Sequence, residues 1–479
     1  MRRLGVGALI VGMMCFVLIT ILSMWTAPDL CLAEEQRKVK KEANLFTLRP
    51  ITVIATQPGV YITPEKTIIK MDEFKKPGKV WTLTDVLTEI GGIDVMRSNP
   101  LMTSPGDEVS IRGLNEGRMV IEIDGRRINH TGQMGRYIVD WSTLNMDDVK
   151  RIEIIRGGHS VLHPFAIGGV INIITKKGEK TAKLKPDVSI KTGYGRYNTK
   201  NLSASVNGGL ANKVGYNFSA SKQETSGYLR HNYQDTHNIN GHLSFYLPHD
   251  ASLSLSVKYS DVDYGFPVIN DPGRPDYDPD YPKFLPSADQ LRHLPPVGQL
   301  PQNDPHWEKH TTYLDGILKV PLGPGTFKLH GFITNGRRWI SMWRGKSFRR
   351  RRFVDDRTKG AILEYRDAHF KLLANHSLTG GLEYQELGMP HGNPIIYLVK
   401  SLYAQDVISL GDRWTITPGV RYYHLDMDTY YSQFGAGWPH PGKKQKDDGF
   451  YPSLKVDFQA TPETALYAAV SRSYRLPCP

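Results

Sequence analysis

Cysteine is nearly absent, with three in 479 residues, at positions 15, 31 and 478. That is too few for a disulfide scaffold or a cysteine-based zinc site. Charged residues, at 23%, are too sparse and aromatics, at 10%, too frequent for a disordered chain. Past the N-terminal segment no apolar run is long enough for a membrane-spanning helix, and the mean hydropathy is −0.38. This excludes a helical-bundle membrane protein but not a membrane barrel, whose interior and loops are polar. Catalytic signatures are missing as well: there is no G-x-S-x-G, no H-E-x-x-H and no Cys/His spacing suited to a nucleophile or a metal. Neither an enzyme nor a bound cofactor is expected.

What is present begins with a leader. Arg2 and Arg3 precede an apolar run from about Leu4 to Trp25, and Ala33 suits the position before a signal-peptidase cut, so residues 1–33 read as a signal peptide. A retained transmembrane anchor is the competing reading of so long a run. A lipoprotein signal is disfavoured because Leu30, not a small residue, precedes Cys31. Cleavage would leave Cys478 as the sole cysteine and permit no internal disulfide. The formal charge of +12 is spread along the chain except for the run Arg349, Arg350, Arg351 and Arg352. Phosphates of a nucleic acid, anionic lipid or an anionic ligand would each suit that run.

An α/β stretch extends to about Lys180, and β-patterned sequence follows. In Ser252–Ser260, Leu253, Leu255, Val257 and Tyr259 alternate with Ser254, Ser256 and Lys258. Trp414, Ile416, Val420 and Tyr422 alternate in the same way with Thr415, Thr417 and Arg421. A soluble sandwich would show the same period of two, but the connections separate the cases. Short ones at 210–213, 247–251, 321–325, 410–412 and 461–463 alternate with long ones at 224–235, 265–310, 337–357 and 426–449. Roughly thirteen strands are counted, and the arginine run is expected in an external loop.

In the first region, Thr82 and Asp85 form a capping-box pattern ahead of Leu83, Val86, Leu87 and Ile90, predicting a short helix ended by Gly91. Strands are expected at Val109–Arg112 and at Val120–Asp124, the latter closing on a Gly125 turn. Then come R-I-E-I-I-R-G (Arg151–Gly157) and A-I-G-G-V-I-N-I-I-T (Ala166–Thr175). With I-R-G (Ile111–Gly113) and I-D-G (Ile123–Gly125), this order resembles the plug domain of TonB-dependent outer-membrane receptors. Ile51, Thr52, Val53, Ile54, Ala55 and Thr56 resemble their TonB box, the segment that a periplasmic coupling protein pairs with as an added strand. Ser471–Pro477, S-R-S-Y-R-L-P, is similar to a late-barrel segment of the same family.

The resemblance implies a mainly β protein: an N-terminal α/β plug inside a transmembrane antiparallel barrel. It divides the chain into a signal peptide (1–33), a periplasmic segment with the TonB box (34–70), a plug (71–180) and a partial barrel (181–479). The family's barrels have twenty-two strands, so about thirteen point to a chain truncated at its C-terminus. The implied function is TonB-dependent uptake of a scarce ligand, a ferric siderophore first, with cobalamin or haem as alternatives. A non-functional fragment or a passive porin-like channel is the reading of another class, and the plug and TonB box speak against the porin. The stretch of about seventeen residues between Ala33 and Ile51 is too short to fold as a signalling domain. Implied partners are the TonB complex, an iron chelate, outer-membrane lipid and lipopolysaccharide, and the barrel assembly machinery. The implied location is the outer membrane of a Gram-negative bacterium, as a monomer and without nucleic acid.

By the same resemblance, Arg112 and Arg156 are expected to meet barrel carboxylates, with Glu364 and Glu383 as partners. Ordinary solvated lumen charges are the alternative. Trp343 and Phe348, beside the arginine run, suggest a site for an anionic aromatic chelate or for lipopolysaccharide phosphates. Asp276, Asp278 and Asp280 form D-x-D-x-D, a calcium candidate without the glycine and glutamate of an EF-hand; a solvated acidic loop is the competing reading. His130, His159 and His163 carry no haem signature. Gly157-Gly158 is no phosphate cradle, since no Lys-Ser/Thr follows.

Overall fold

A computed structural model of the chain describes residues 53–476, apart from 55–56, 64–65, 75–81, 98, 100, 105, 132–136, 158–160, 286–303, 345–346, 388–396, 429–443 and 462–463. The expected signal peptide lies outside the described residues, as does the TonB-box segment except for the backbone of Val53 and Ile54.

The N-terminal body is built on a seven-stranded sheet. Its strands are β1 (Val53–Ile54), β2 (Val60–Ile62), β3 (Lys66–Lys70), β6 (Val120–Ile123), β7 (Arg126–Arg127), β10 (Val149–Arg156) and β11 (Gly169–Thr175), ordered β1-β2-β3-β10-β11-β6-β7. Two hairpins flank it, β4 (Ile93–Met96) with β5 (Glu108–Ile111), and β8 (His130–Thr131) with β9 (Tyr137–Ile138). Among the described residues, only β6 and β11 pair in parallel. The helix α1 is shorter than its apolar pattern suggests, spanning Leu83–Leu87. The capping box forms as read: the Thr82 hydroxyl accepts from the Asp85 amide at 3.3 Å and the Asp85 carboxylate from the Thr82 amide at 3.0 Å. The left-handed residue beyond the helix is Gly92, at φ +77°, rather than Gly91. β10 is central, bonded on both sides, so its apolar run can be buried on both faces. Ile152 and Ile154 pack there with Ile69, Leu83, Leu87, Ile121 and Ile171. Truncating such a buried isoleucine to alanine costs about 2–5 kcal/mol.

The second body is one antiparallel sheet, here called the wall. Its strands are β12 (Asp187–Gly195), β13 (Thr199–Leu210), β14 (Val214–Thr225), β15 (Gln234–Tyr246), β16 (Ser252–Gly265), β17 (His306–Leu322) and β18 (Gly325–Arg344), then β19 (Ser347–Asp356). It continues through β20 (Lys359–Leu372), β21 (Ala374–Leu387), β22 (Tyr397–Leu410), β23 (Trp414–Asp428), β24 (Lys444–Thr461) and β25 (Thr464–Ser471). Each strand pairs with its sequence neighbours, except that β18 pairs with β20 over its first half and with β19 over its second. Among the described residues β12 and β25 do not pair with each other, so each keeps a free edge.

From β13 to β18 and from β21 on, the expected alternation of short and long connections holds; the β12–β13 connection, residues 196–198, is also short, and two further corrections apply. A further tight turn at Leu373, φ +61°, joins β20 to β21. Residues 337–357 are not a loop: β18 runs on to Arg344, and the Arg349–Arg352 run lies on β19. Charge density suggests a loop, but the run is in register as a strand, with Arg349, Arg350, Arg351 and Arg352 across from Met342, Ser341, Ile340 and Trp339.

The wall inverts the usual burial. Its apolar positions face outward: Ile190, Leu202, Ile239, Ile333, Leu382, Leu402 and Val470 are each more than half exposed. Many of its buried positions are polar, among them Asn217, Asn240, His242, Lys328, His330, Glu364 and Arg421. A soluble sandwich buries the greasy face, so this sheet is arranged for lipid outside and a polar interior. The N-terminal body packs on that interior face, where Val120, Phe165 and Val170 meet Tyr397, Val399, Tyr423 and Leu425 of the wall.

Candidate functional site

Two regions carry chemistry: the junction between the N-terminal body and the wall, and the aromatic and cationic surface toward the long loops.

The junction is held by acids on the body and lysines on the wall. Asp140 caps a 3-10 turn, Trp141–Thr143, by accepting from the Ser142 amide at 3.1 Å, and Asn145 caps a second, Met146–Asp148. These caps fix three carboxylates beside the wall. Asp140 pairs with Lys309 of β17 at 2.6 Å, both nearly fully buried. Asp147 pairs with Lys191 of β12 and Asp148 with Lys258 of β16, and Asn217 donates to Asp148 at 3.0 Å. Gln234 donates to the Thr103 carbonyl at 2.7 Å.

Cations on either side add two more ties. Arg126 of β7, 1% exposed, donates to Thr334, faces Asp315 at 3.5 Å and lies 4.7 Å above the Phe332 ring. His330 holds the same Asp315 at 2.9 Å. Arg421 of β23 donates across the junction to the Val161 carbonyl at 2.7 Å while engaging Glu383.

The expected pairing of Arg112 and Arg156 with Glu364 and Glu383 is therefore corrected. Arg156 stays within the N-terminal body, donating to Thr67 at 2.6 Å and to the Gly91 carbonyl at 3.0 Å. Arg112 occupies the turn after β5 at φ +50°, its amide bonded to the Gly92 carbonyl at 2.9 Å. Glu364 lies directly across from Lys328, which takes it at 3.1 Å, with the Tyr403 hydroxyl donating at 2.8 Å. Glu383 is held by Arg421 and by Ser401 at 2.9 Å. Cross-strand neighbours reach these glutamates before any residue of the other body can.

Electrostatics within the N-terminal body are uneven. Burial alone would raise Asp124, but Lys177 at 3.3 Å and the Thr175 hydroxyl at 2.7 Å hold it below the usual carboxylate range. Glu116 goes the other way. Burial pushes its carboxyl up to about 7, although Trp141 Nε1, the Val139 amide and the Val109 amide all donate to it, at 2.6, 2.9 and 3.1 Å. One carboxyl thus joins β5, through Val109, to the 139–141 segment.

Toward the long loops, aromatic rings gather. Phe165, at φ +65°, stacks on Tyr423 with centroids 4.8 Å apart, Tyr423 meets Tyr451 at 5.3 Å, and Tyr451 meets Tyr474 at 5.4 Å. Arg472 lies 5.1 Å over the Tyr451 ring and Arg127 5.3 Å over Phe165. Along the wall, Arg338 lies 4.3 Å over Trp307, which also meets Tyr264 at 5.3 Å. Trp343 and Phe348 approach to 5.4 Å across the β18–β19 ladder. Arg349 and Arg350 are exposed, and Arg350 pairs with Glu308; the side chains of Arg351 and Arg352 lie outside the described residues.

The calcium reading of the acidic loop is corrected. Asp276 is taken by Arg274 at 2.9 Å and Arg230 at 3.5 Å, and its hydrogen bond from Arg274 keeps its carboxyl below the ordinary value. Asp278 accepts from the Asp280 amide at 3.0 Å. Among the described residues no group of three or more His, Cys, Asp or Glu side chains is placed to hold a metal. His163 hydrogen-bonds Glu122 at 3.0 Å, and the side chains of His130 and His159 lie outside the described residues.

The family model described as "TonB dependent receptor-like, beta-barrel" matches residues 184–477, and that described as "TonB-dependent Receptor Plug Domain" matches residues 61–170. Among solved structures, the chain is similar to a variant of the ferric enterobactin receptor PfeA from Pseudomonas aeruginosa bound to enterobactin. Identity is 18% and the TM-score 0.66, over 87% of this chain and 63% of that one. It is also similar to the unliganded ferric citrate transporter FecA, at 19% identity and TM-score 0.63 over 85% and 62% of the two chains. The siderophore receptor PirA from Acinetobacter baumannii gives 16% and 0.64, over 86% and 61%. Identities this low establish likeness of fold. The chain spans about three-fifths of the length of these solved structures.

Proposed function

The chain belongs to the TonB-dependent receptors, and from that membership we propose that it takes up a scarce ligand, in the first instance a ferric siderophore, across the outer membrane. The observation that carries this reading is the buried ionic junction. The N-terminal body covers the polar face of the wall and is tied to it through Asp140–Lys309 and Arg421–Val161, so along the described strands that face is filled. A filled pore passes its ligand only when work is done on the filling, which is the role of an energy-coupling partner.

The TonB box is assigned to Ile51–Thr56. Support comes from Val53 and Ile54, which form the outermost strand of the plug sheet, where an incoming strand has an edge to pair with. The ligand surface is assigned to the outer end of the wall, at Arg349, Arg350, Trp343 and Phe348, together with the ring cluster around Phe165 and Tyr423. Exposed guanidinium groups beside aromatic faces suit an anionic aromatic chelate, through cation–π contact and charge-assisted hydrogen bonds. The remaining partners follow from residence in an outer membrane: lipopolysaccharide outside, the assembly machinery during insertion, and a monomeric working state.

The test is uptake of iron-loaded catecholate by cells expressing the full chain, with and without residues 51–56. Loss of uptake with ligand binding retained is expected. Uptake that continues undiminished would overturn energy coupling in favour of passive flow. Competition by haem or cobalamin, and not by a siderophore, would reassign the ligand.

A further inference from the structure

Apart from Lys177, the stretch joining plug to wall, Lys176–Pro186, is used by none of the chemistry above. It carries lysines at 176, 177, 180, 183 and 185 against one acid, Glu179, with Asp187 opening β12. Its path is fixed by backbone bonds. Glu179 N donates to the Gly208 carbonyl at 2.9 Å, Asn212 N to Thr181 at 2.7 Å and Ala211 N to Ala182 at 3.1 Å. The stretch therefore lies along the β13–β14 turn, at the short-turn rim of the wall. Lys177 is spent on Asp124 at 3.3 Å, and Glu179 accepts from Asn207 at 3.3 Å. Lys180, Lys183 and Lys185 are exposed, and Lys180 reaches the Tyr246 ring at 5.6 Å.

Between these lysines sits Leu184, 62% exposed. It does not stand alone: Val188 and Ile190 on β12, and Leu202 and Leu210 on β13, continue an exposed apolar surface up the outward face of the wall. A leucine flanked by ammonium groups, at the edge of a lipid-facing surface, matches an amphiphile whose head is an anion and whose tail is a hydrocarbon. We propose that Lys180, Lys183, Leu184 and Lys185 form a binding collar for anionic phospholipid at the short-turn rim. The phosphate meets the lysines, and the acyl chains lie along Leu184, Val188 and Leu210. The collar rests on the outer-membrane reading of the wall, because only a sheet facing lipid brings acyl chains to that edge.

The test is native mass spectrometry of the full chain released from dodecyl maltoside micelles doped with equal amounts of phosphatidylglycerol and phosphatidylcholine. Retention of phosphatidylglycerol at least tenfold above phosphatidylcholine is expected. It should fall to parity in the triple variant Lys180→Gln, Lys183→Gln, Lys185→Gln. The triple Arg variant keeps the charge and should keep the preference, and the paired control Lys200→Gln, Lys222→Gln, at the opposite rim, should leave it unchanged. Circular dichroism checks that each variant retains its sheet. Equal retention of the two lipids, or a preference that survives the Gln triple, overturns the collar. Displacement of the lipid by millimolar inorganic phosphate would show an anion site without a lipid component and would also overturn it. Failure to retain either lipid would count against the lipid-facing wall itself.

Discussion

Asp140 and Lys309 meet at 2.6 Å, with side-chain exposures of 1% and 4%, although one belongs to the plug and the other to the wall. Lys309→Ala would leave a buried carboxylate without its cation, at a cost of about 3–5 kcal/mol. Thermal unfolding in detergent should show a large fall in midpoint for this variant, and partial recovery when Asp140→Asn is added, since the asparagine keeps the cap on Ser142. A double variant no better than the single one would mean that the ion pair contributes little beyond the cap.

Glu116 predicts a pH dependence of plug stability. Its carboxyl ionises near the ordinary glutamate value when unfolded but near 7 when folded, because burial disfavours the charge. Below the unfolded value both states carry the proton and nothing is lost. As pH rises from about 4.5 to 7 the unfolded state releases its proton first, so stability falls across that window, by about 3 kcal/mol in order of magnitude, and is level above it. Glu116→Gln should flatten this part of the profile, as read by chemical denaturation at half-unit steps. An unchanged slope would place the titration elsewhere.

Gly169 lies at φ +145°, and a Cβ there would fall 2.4 Å from the Ile155 carbonyl oxygen. Backbone, not a yielding side chain, stands in the way. Gly169→Ala should therefore force β10 and β11 apart and destabilise the plug by about 1–3 kcal/mol. Protease susceptibility of residues 61–170, compared with that of the wall strands, would detect it. Gly113→Ala, which meets no atom within 4 Å but keeps a positive φ, should cost less.

Outward residues of the wall should tolerate apolar exchange and resist charge. Leu402→Lys on β22 puts an ammonium where the chain exposes a leucine to lipid, at about 2–4 kcal/mol near the bilayer midplane. Leu402→Val should be nearly silent. Folding yield into lipid vesicles, followed by gel mobility before and after heating, compares the two. Equal yields would argue against a lipid-facing position.

Much of this fold was legible from pattern. The capping pair Thr82 and Asp85, the Gly125 turn and the alternation through Ser252–Ser260 each have a local physical cause, so short windows disclose them. The ties across the junction have none. Lys258 reads only as a wet-face residue, and its partner Asp148 stands 110 positions away, brought near by the register of many strands. Charge type also misled. The resemblance points to plug arginines seeking wall glutamates, whereas three of the plug's ties run from aspartate to lysine, and the wall's glutamates are satisfied within the wall. The arginine run on β19 reads as a loop because density of charge hides the strand pattern.

The pairing of Val53 with Ile62 and of Ile54 with Tyr61 has a mechanical meaning. β1 is the outermost strand and antiparallel to β2, so tension applied ahead of Val53 loads the rungs in series, beginning with the one nearest the pull. A ladder loaded in series opens like a zipper, at a force set by its weakest rung. One loaded in shear must lose all its rungs together. Meanwhile Asp140 and Asp148, just ahead of β10 in the chain's path, hold to wall lysines. The plug is thus compliant at the end where force would enter and stiff where it meets the wall.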